Sequence, residues 1–179
     1  MAAAAPIARY DNLDWFLGAY QAAGRQGAGE GGSVGALWAG LLGHAFPTAQ
    51  NYTQAPEYHN AAGFTDQITI HWRRRGDAQR LSQARFLVTQ TKRPSRRRHP
   101  SAWNEGRNQL RRYLAQLVRD NQGTASSHYG IVAIGQVARF YKWDTQTGDI
   151  QCMHGNIDPD VRRDQAIVRR LLRRIKRRH

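Results

Sequence analysis

The chain has 179 residues and a net charge of +14, from 27 Lys and Arg against 13 Asp and Glu. A hydrophobic fraction of 40% is enough for one domain with a buried core. The single cysteine, Cys152, excludes an intrachain disulfide, and the apolar runs at 34–42 and 130–134 are far shorter than a membrane span.

Arginine supplies nearly all of the positive charge, and its planar guanidinium suits bidentate contacts to phosphate. A polyanion is the expected partner, most simply nucleic acid, with DNA ahead of RNA and no membrane. The plainer alternative is a solubilising basic surface. Residues 1–5 lack a basic start and a long apolar core, so no secretory signal is read. The expected location is intracellular, and nuclear in a eukaryote.

Residues 12–23 have helical periodicity, with Leu13, Phe16, Leu17 and Tyr20 on one face and Asp11 or Asn12 as cap. A Gly-rich loop at 24–33 should follow. Its Gly27-x-Gly29-x-x-Gly32 follows a helical pattern rather than a strand, which excludes a dinucleotide fingerprint. Ser33 is the expected cap of a buried helix at 34–45, carrying Leu37, Trp38, Leu41 and Leu42.

A short strand is expected around 54–59 and a longer one at 64–72. In the latter, alternation puts Phe64, Asp66, Ile68, Ile70 and Trp72 on one face. A carboxylate in an apolar stripe is costly unless it holds a metal or gains firm hydrogen bonds. After a basic turn at 73–77 comes a strand at 84–94, with Phe86, Val88, Gln90 and Lys92 on one face and Pro94 ending it. Asp66, Gln90 and Lys92 on adjacent strands could converge on one point. Glu57 would join them if its strand lies beside Asp66.

Beyond the basic loop with Arg96, Arg97 and Arg98, Ser101 reads as the cap of a helix at 102–119, with Glu105 in its first turn. Trp103, Leu110, Leu114, Leu117 and Val118 form its packing stripe, and Gln109 and Tyr113 lie four apart at the edge. The continuous apolar run 130–134 predicts a central strand covered on both faces, followed by a turn at Gly135-Gln136 and an alternating strand at 137–143. Asp158-Pro159-Asp160 should open a last helix. Val161, Val168, Leu171, Leu172 and Ile175 are its apolar stripe, and arginines including Arg169 and Arg173 cover the rest. Three segments are expected: 1–32, a helix and the Gly-rich loop; 33–150, the α/β domain; and 151–179, the basic helix packing on that domain.

In this order the motifs resemble the PD-(D/E)XK nuclease superfamily, restriction-endonuclease-like, and within it the RecB-like branch. Asp66 matches the Asp of that pattern, Gln90-Thr91-Lys92 stands where (Asp/Glu)-x-Lys belongs, and Gln109-Leu110-Arg111-Arg112-Tyr113 matches Gln-x-x-x-Tyr. The resemblance covers residues 34–144. It implies an αβββαβ core, a mixed central sheet flanked by helices, and hydrolysis of phosphodiester bonds with Mg²⁺ or Mn²⁺. Asp66, Gln90 and Lys92 would be catalytic, with the metal on Asp66 and Gln90. Gln109, Tyr113, Arg96, Arg97, Arg98, Arg169 and Arg173 would face nucleic acid. Two departures stand out. Thr65 precedes the Asp where Pro is common, and neutral Gln90 replaces the acidic residue. The alternatives are a catalytically inactive nuclease-like domain that binds nucleic acid or protein, and an unrelated basic structural protein.

Overall fold

A computed structural model describes residues 7–25, 30–60, 63–75, 80–120, 127–155 and 157–179. Six strands form one mixed sheet in sequence order: β1 (Tyr52–Asn60), β2 (Gly63–Arg75), β3 (Arg80–Lys92), β4 (Tyr129–Ile134), β5 (Val137–Asp144) and β6 (Asp149–Cys152). Neighbours are antiparallel except β3 and β4, which are parallel. A parallel pair needs a crossover, and α3 (Pro100–Asp120) provides it. The other helices are α1 (Asp14–Gly24), α2 (Glu30–Ala45) and α4 (Gln165–Arg178). No helix among the described residues is long and apolar enough to cross a membrane.

The sheet separates two cores. On one face Phe16, Leu37, Trp38, Phe46, Phe86 and Phe140 pack with Val168, Leu171, Leu172 and Ile175, so α1, α2 and α4 share one apolar layer. On the other, Ile68, Val88, Val132 and Tyr141 meet Trp103, Leu110, Leu114 and Leu117 of α3. All six residues of β4 are buried, as the unbroken apolar run at 130–134 predicts for a strand covered on both faces. Two glycines let α3 lie close to this strand. A Cβ at Gly130 would stand 2.5 Å from Leu110, and one at Gly106 would stand 2.7 Å from Val132. At the far edge of α2, Lys176 of α4 donates to the Ala45 carbonyl at 2.8 Å, a cation on a helix C-terminus.

Several sequence expectations are corrected. Phe86 does not share a face with Val88: Thr69 pairs with Leu87 while Ile70 pairs with Arg85, so Phe86 is the extra residue of a bulge. The bulge turns both Phe86 and Leu87 into the α1/α2/α4 core, and alternation resumes at Val88. Helix α2 begins at Glu30 rather than after Ser33, because packing of Val34, Leu37 and Trp38 outweighs the poor helix propensity of its glycines. Helix α3 begins at Pro100, a residue pre-shaped for a first turn, so Ser101 is inside it and Glu105 in the second turn. Helix α4 begins at Gln165 because Asp160 first closes a turn. Its Oδ1 accepts from the Arg162 and Arg163 amides at 3.0 and 3.1 Å, and Asp164 Oδ2 accepts from the Asp160 amide at 2.9 Å. Residues 26–29 of the Gly-rich loop and 76–79 of the basic turn lie outside the described residues.

Candidate functional site

The pairing of β2 with β3 ends at Gln67–Thr89. One residue further out, the Asp66 carboxylate takes over the role of the ladder. Its Oδ2 accepts from the Thr91 amide at 2.5 Å and from the Thr91 hydroxyl at 3.1 Å. Thr65 holds the same strand end by donating from its hydroxyl to the Thr89 carbonyl at 3.2 Å. Asp66 is half-buried, and alternation from Ile68 puts it on the α3 side of the sheet.

On β3, Val88 belongs to the α3-side core, and Gln90, two residues on, is buried at 5% exposure. Lys92 completes this face. Its ammonium donates to Glu105 at 2.8 Å and to the Gln109 amide oxygen at 3.0 Å, both on α3. Gln109 in turn donates to Glu105 at 3.4 Å. The site is therefore assembled by two elements that Gly106 allows to approach: the C-terminal end of β3 and the second and third turns of α3.

Glu105 is the residue that sequence reasoning left out of this site. Its bond to Lys92 and the positive charge of Lys92 hold its carboxyl below the usual range, with a lesser contribution from Arg96, whose Nη2 is 3.9 Å away. The available signal was the spacing of Glu105 and Gln109, four apart on one helix face. Tyr113 is one turn further but at a different depth, 2% exposed within the α3-side core.

The arginines divide. Arg96, Arg97 and Arg98 are exposed on the loop after β3, Arg96 ending the 3₁₀ turn Pro94–Arg96 and the other two lying between it and α3. Arg169 differs from the expectation of a cation facing phosphate. Its Nε and Nη2 donate to the Ile7 carbonyl at 3.0 and 2.7 Å, tying the N-terminal segment to α4. Arg173 is half-buried on the same helix, and α4 packs on the sheet face opposite α3. Both arginines are therefore on the opposite side of the sheet from Lys92.

Among the described residues, no group of three or more His, Cys, Asp or Glu is disposed to hold a metal ion. Mg²⁺ needs less, since one or two carboxylates suffice when substrate phosphate and water complete its shell. Asp66, with Oδ2 on Thr91, and the amide of Gln90 are a donor set of that modest kind. The β1–β2 register pairs Pro56 with Gln67 and Tyr58 with Thr65, so position 57 falls opposite Asp66, while the Glu57 side chain lies outside the described residues. No protein-family model, curated protein or solved structure matches the chain.

Proposed function

We propose that the chain is a metal-dependent nuclease of the PD-(D/E)XK kind, with its site at the C-terminal end of β3. The observation that carries the reading is Lys92, held at 2.8 and 3.0 Å by Glu105 and Gln109, on the strand next to the one bearing Asp66. The element order α2, β1, β2, β3, α3, β4 supports it, being the αβββαβ order that the resemblance implies.

Asp66 and Gln90 would hold Mg²⁺ or Mn²⁺, which when bound lowers the pKa of a water and neutralises charge on a phosphate. Lys92 presents its ammonium to the non-bridging oxygens of the scissile phosphate, offsetting charge that grows there in the transition state. Glu105 and Gln109 fix the direction of that ammonium before substrate arrives. Glu105 also returns to the site one carboxylate that Gln90 does not supply. The exposed Arg96–Arg98 loop contributes affinity that does not depend on sequence, through counterion release. An enzyme acting on nucleic acid would work inside the cell and, in a eukaryote, in the nucleus.

A second reading, an inactive nuclease-like binder, is favoured by the neutral Gln90 and by the bonds Asp66 already makes to Thr91. The test is cleavage of plasmid DNA, short DNA and RNA across a Mg²⁺ and Mn²⁺ titration. Wild type should cut weakly and better with Mn²⁺, Gln90→Glu should cut faster, and Lys92→Ala should be folded and inactive. If neither wild type nor Gln90→Glu cuts any of these substrates while both are folded, the binder stands and the enzyme falls.

A further inference from the structure

Directly beyond Lys92, at the carboxyl ends of the parallel pair β3 and β4, there is a cleft of about 310 Å³. Its lining is Gly24, Pro94, Ser95, Arg97, Arg98, Ile134, Gly135 and Gln136. The crevice outside the carboxyl ends of parallel strands is a usual ligand position in open α/β sheets. The lining residues include two arginines, a serine and a glutamine, and none is acidic.

The arginines of this cleft are set differently from their neighbour. Arg96 leans toward Glu105 at 3.9 Å, whereas no ion pair of the described residues engages Arg97 or Arg98. Two adjacent cations with no counter-charge among the described residues favour an anion between them. The loop that presents them is already shaped. The amide of Arg97 donates to the Pro94 carbonyl at 3.0 Å and that of His99 to the Arg96 carbonyl at 3.1 Å. The Trp103 indole donates to the Arg97 carbonyl at 3.0 Å.

The opposite wall is closed. Gly135 stands in a left-handed conformation at φ 60°, and a Cβ there would be 2.9 Å from Pro94 and 3.4 Å from the Ala23 carbonyl. Gln136 donates to the Tyr20 carbonyl at 2.8 Å, and its side chain abuts Gly24. The β4–β5 turn thus touches both the end of α1 and the loop after β3. The cleft also joins the proposed catalytic end of β3, since the Gly135 amide donates to the Lys92 carbonyl at 3.2 Å.

We propose that this cleft seats the terminal phosphomonoester of a nucleic-acid strand, held by Arg97 and Arg98, so that the protein engages strands from their ends. A terminal phosphate carries about −1.5 to −2 charge at pH 7, more than a backbone diester, and matches two guanidiniums. The proposal rests on the nucleic-acid reading above but not on cleavage.

The experiment measures binding of short single-stranded oligonucleotides by fluorescence anisotropy, without metal and in the Lys92→Ala background so that nothing is cut. The probes carry a 5′-phosphate, a 3′-phosphate or hydroxyls at both ends, and the comparison protein adds Arg97→Ala and Arg98→Ala. One terminal phosphate should tighten binding about tenfold. The double substitution should erase that difference, and inorganic phosphate should compete with it. The 5′ and 3′ probes decide which end is seated. Equal affinity for all three probes overturns the proposal, as does a preference that survives the double substitution. Both arginines are exposed, so an unchanged melting temperature certifies the variant. A phosphate preference without any metal-dependent cleavage in wild type would keep this site and dismiss the nuclease, whereas cleavage without the preference would do the reverse.

Discussion

Asp66 has a structural task and a proposed chemical one, and substitution can separate them. Its Oδ2 is the acceptor for the Thr91 amide and hydroxyl, so Asp66→Ala leaves a partly buried backbone donor without its partner. The expected cost is about 1–3 kcal/mol in urea unfolding. Asp66→Asn retains an acceptor oxygen and should recover much of that stability, yet it removes the charge a metal requires, so cleavage should be lost. A variant Asp66→Asn that cuts like wild type would show that Asp66 only closes the ladder. Glu105 provides a second division. Its side chain is 48% exposed, so Glu105→Gln should change stability by less than about 0.5 kcal/mol. Cleavage should nevertheless fall tenfold or more, because the Lys92 ammonium loses the group that directs it. Unchanged kcat in Glu105→Gln would reduce the pair to a surface ion pair.

At the level of elements, the site depends on how near α3 comes to the sheet. A Cβ at Gly106 would be 2.7 Å from a Val132 methyl and 3.7 Å from the Lys92 side chain. Gly106→Ala gains helix propensity but must push α3 outward, and overpacking of this kind costs about 1–3 kcal/mol. The variant should therefore melt at a lower temperature and bring Lys92 out of register with Glu105, lowering kcat more than it raises KM. A stabilised Gly106→Ala would contradict the close approach. The same contact explains what the sequence could and could not disclose. The apolar run at 130–134 declares a buried strand by itself, and Asp66, Gln90 and Lys92 carry their order in plain sight. Glu105 does not, because its partner is thirteen residues away, across a loop and the start of a helix. The bulge at Phe86 is equally silent, since an alternating strand pattern has no sign for one extra residue, and the start of α4 depended on how Asp160 uses its carboxylate.

Across the molecule, the face opposite α3 is held by a cluster that responds to acid. His71 and His179 lie against Tyr52, Arg73 and Lys176, with His179 stacked on Phe86 at 3.8 Å between ring centroids. Burial, with the nearby cations, pushes both imidazoles down to about 4. Unfolded, they take up protons near pH 6.5, so the unfolded chain binds more protons between about pH 6.5 and 4. The contribution of these two histidines to stability should therefore decline as pH falls through that window, with Lys176 and Arg73 repelling any proton gained. Urea midpoints from pH 7 to 4 check this, and His71→Gln should flatten the curve relative to wild type. An identical slope in the variant would remove His71 from the account. For the proposed function the most direct measurement is Mn²⁺ binding followed by electron paramagnetic resonance in wild type, Asp66→Asn and Gln90→Glu. Two unit charges about 4 Å apart interact by roughly 4 kcal/mol at an effective dielectric near 20, much of it offset by desolvation. The account predicts weak binding in wild type, none in Asp66→Asn, and binding at least about tenfold tighter in Gln90→Glu. Equal Mn²⁺ affinity in all three proteins would contradict it.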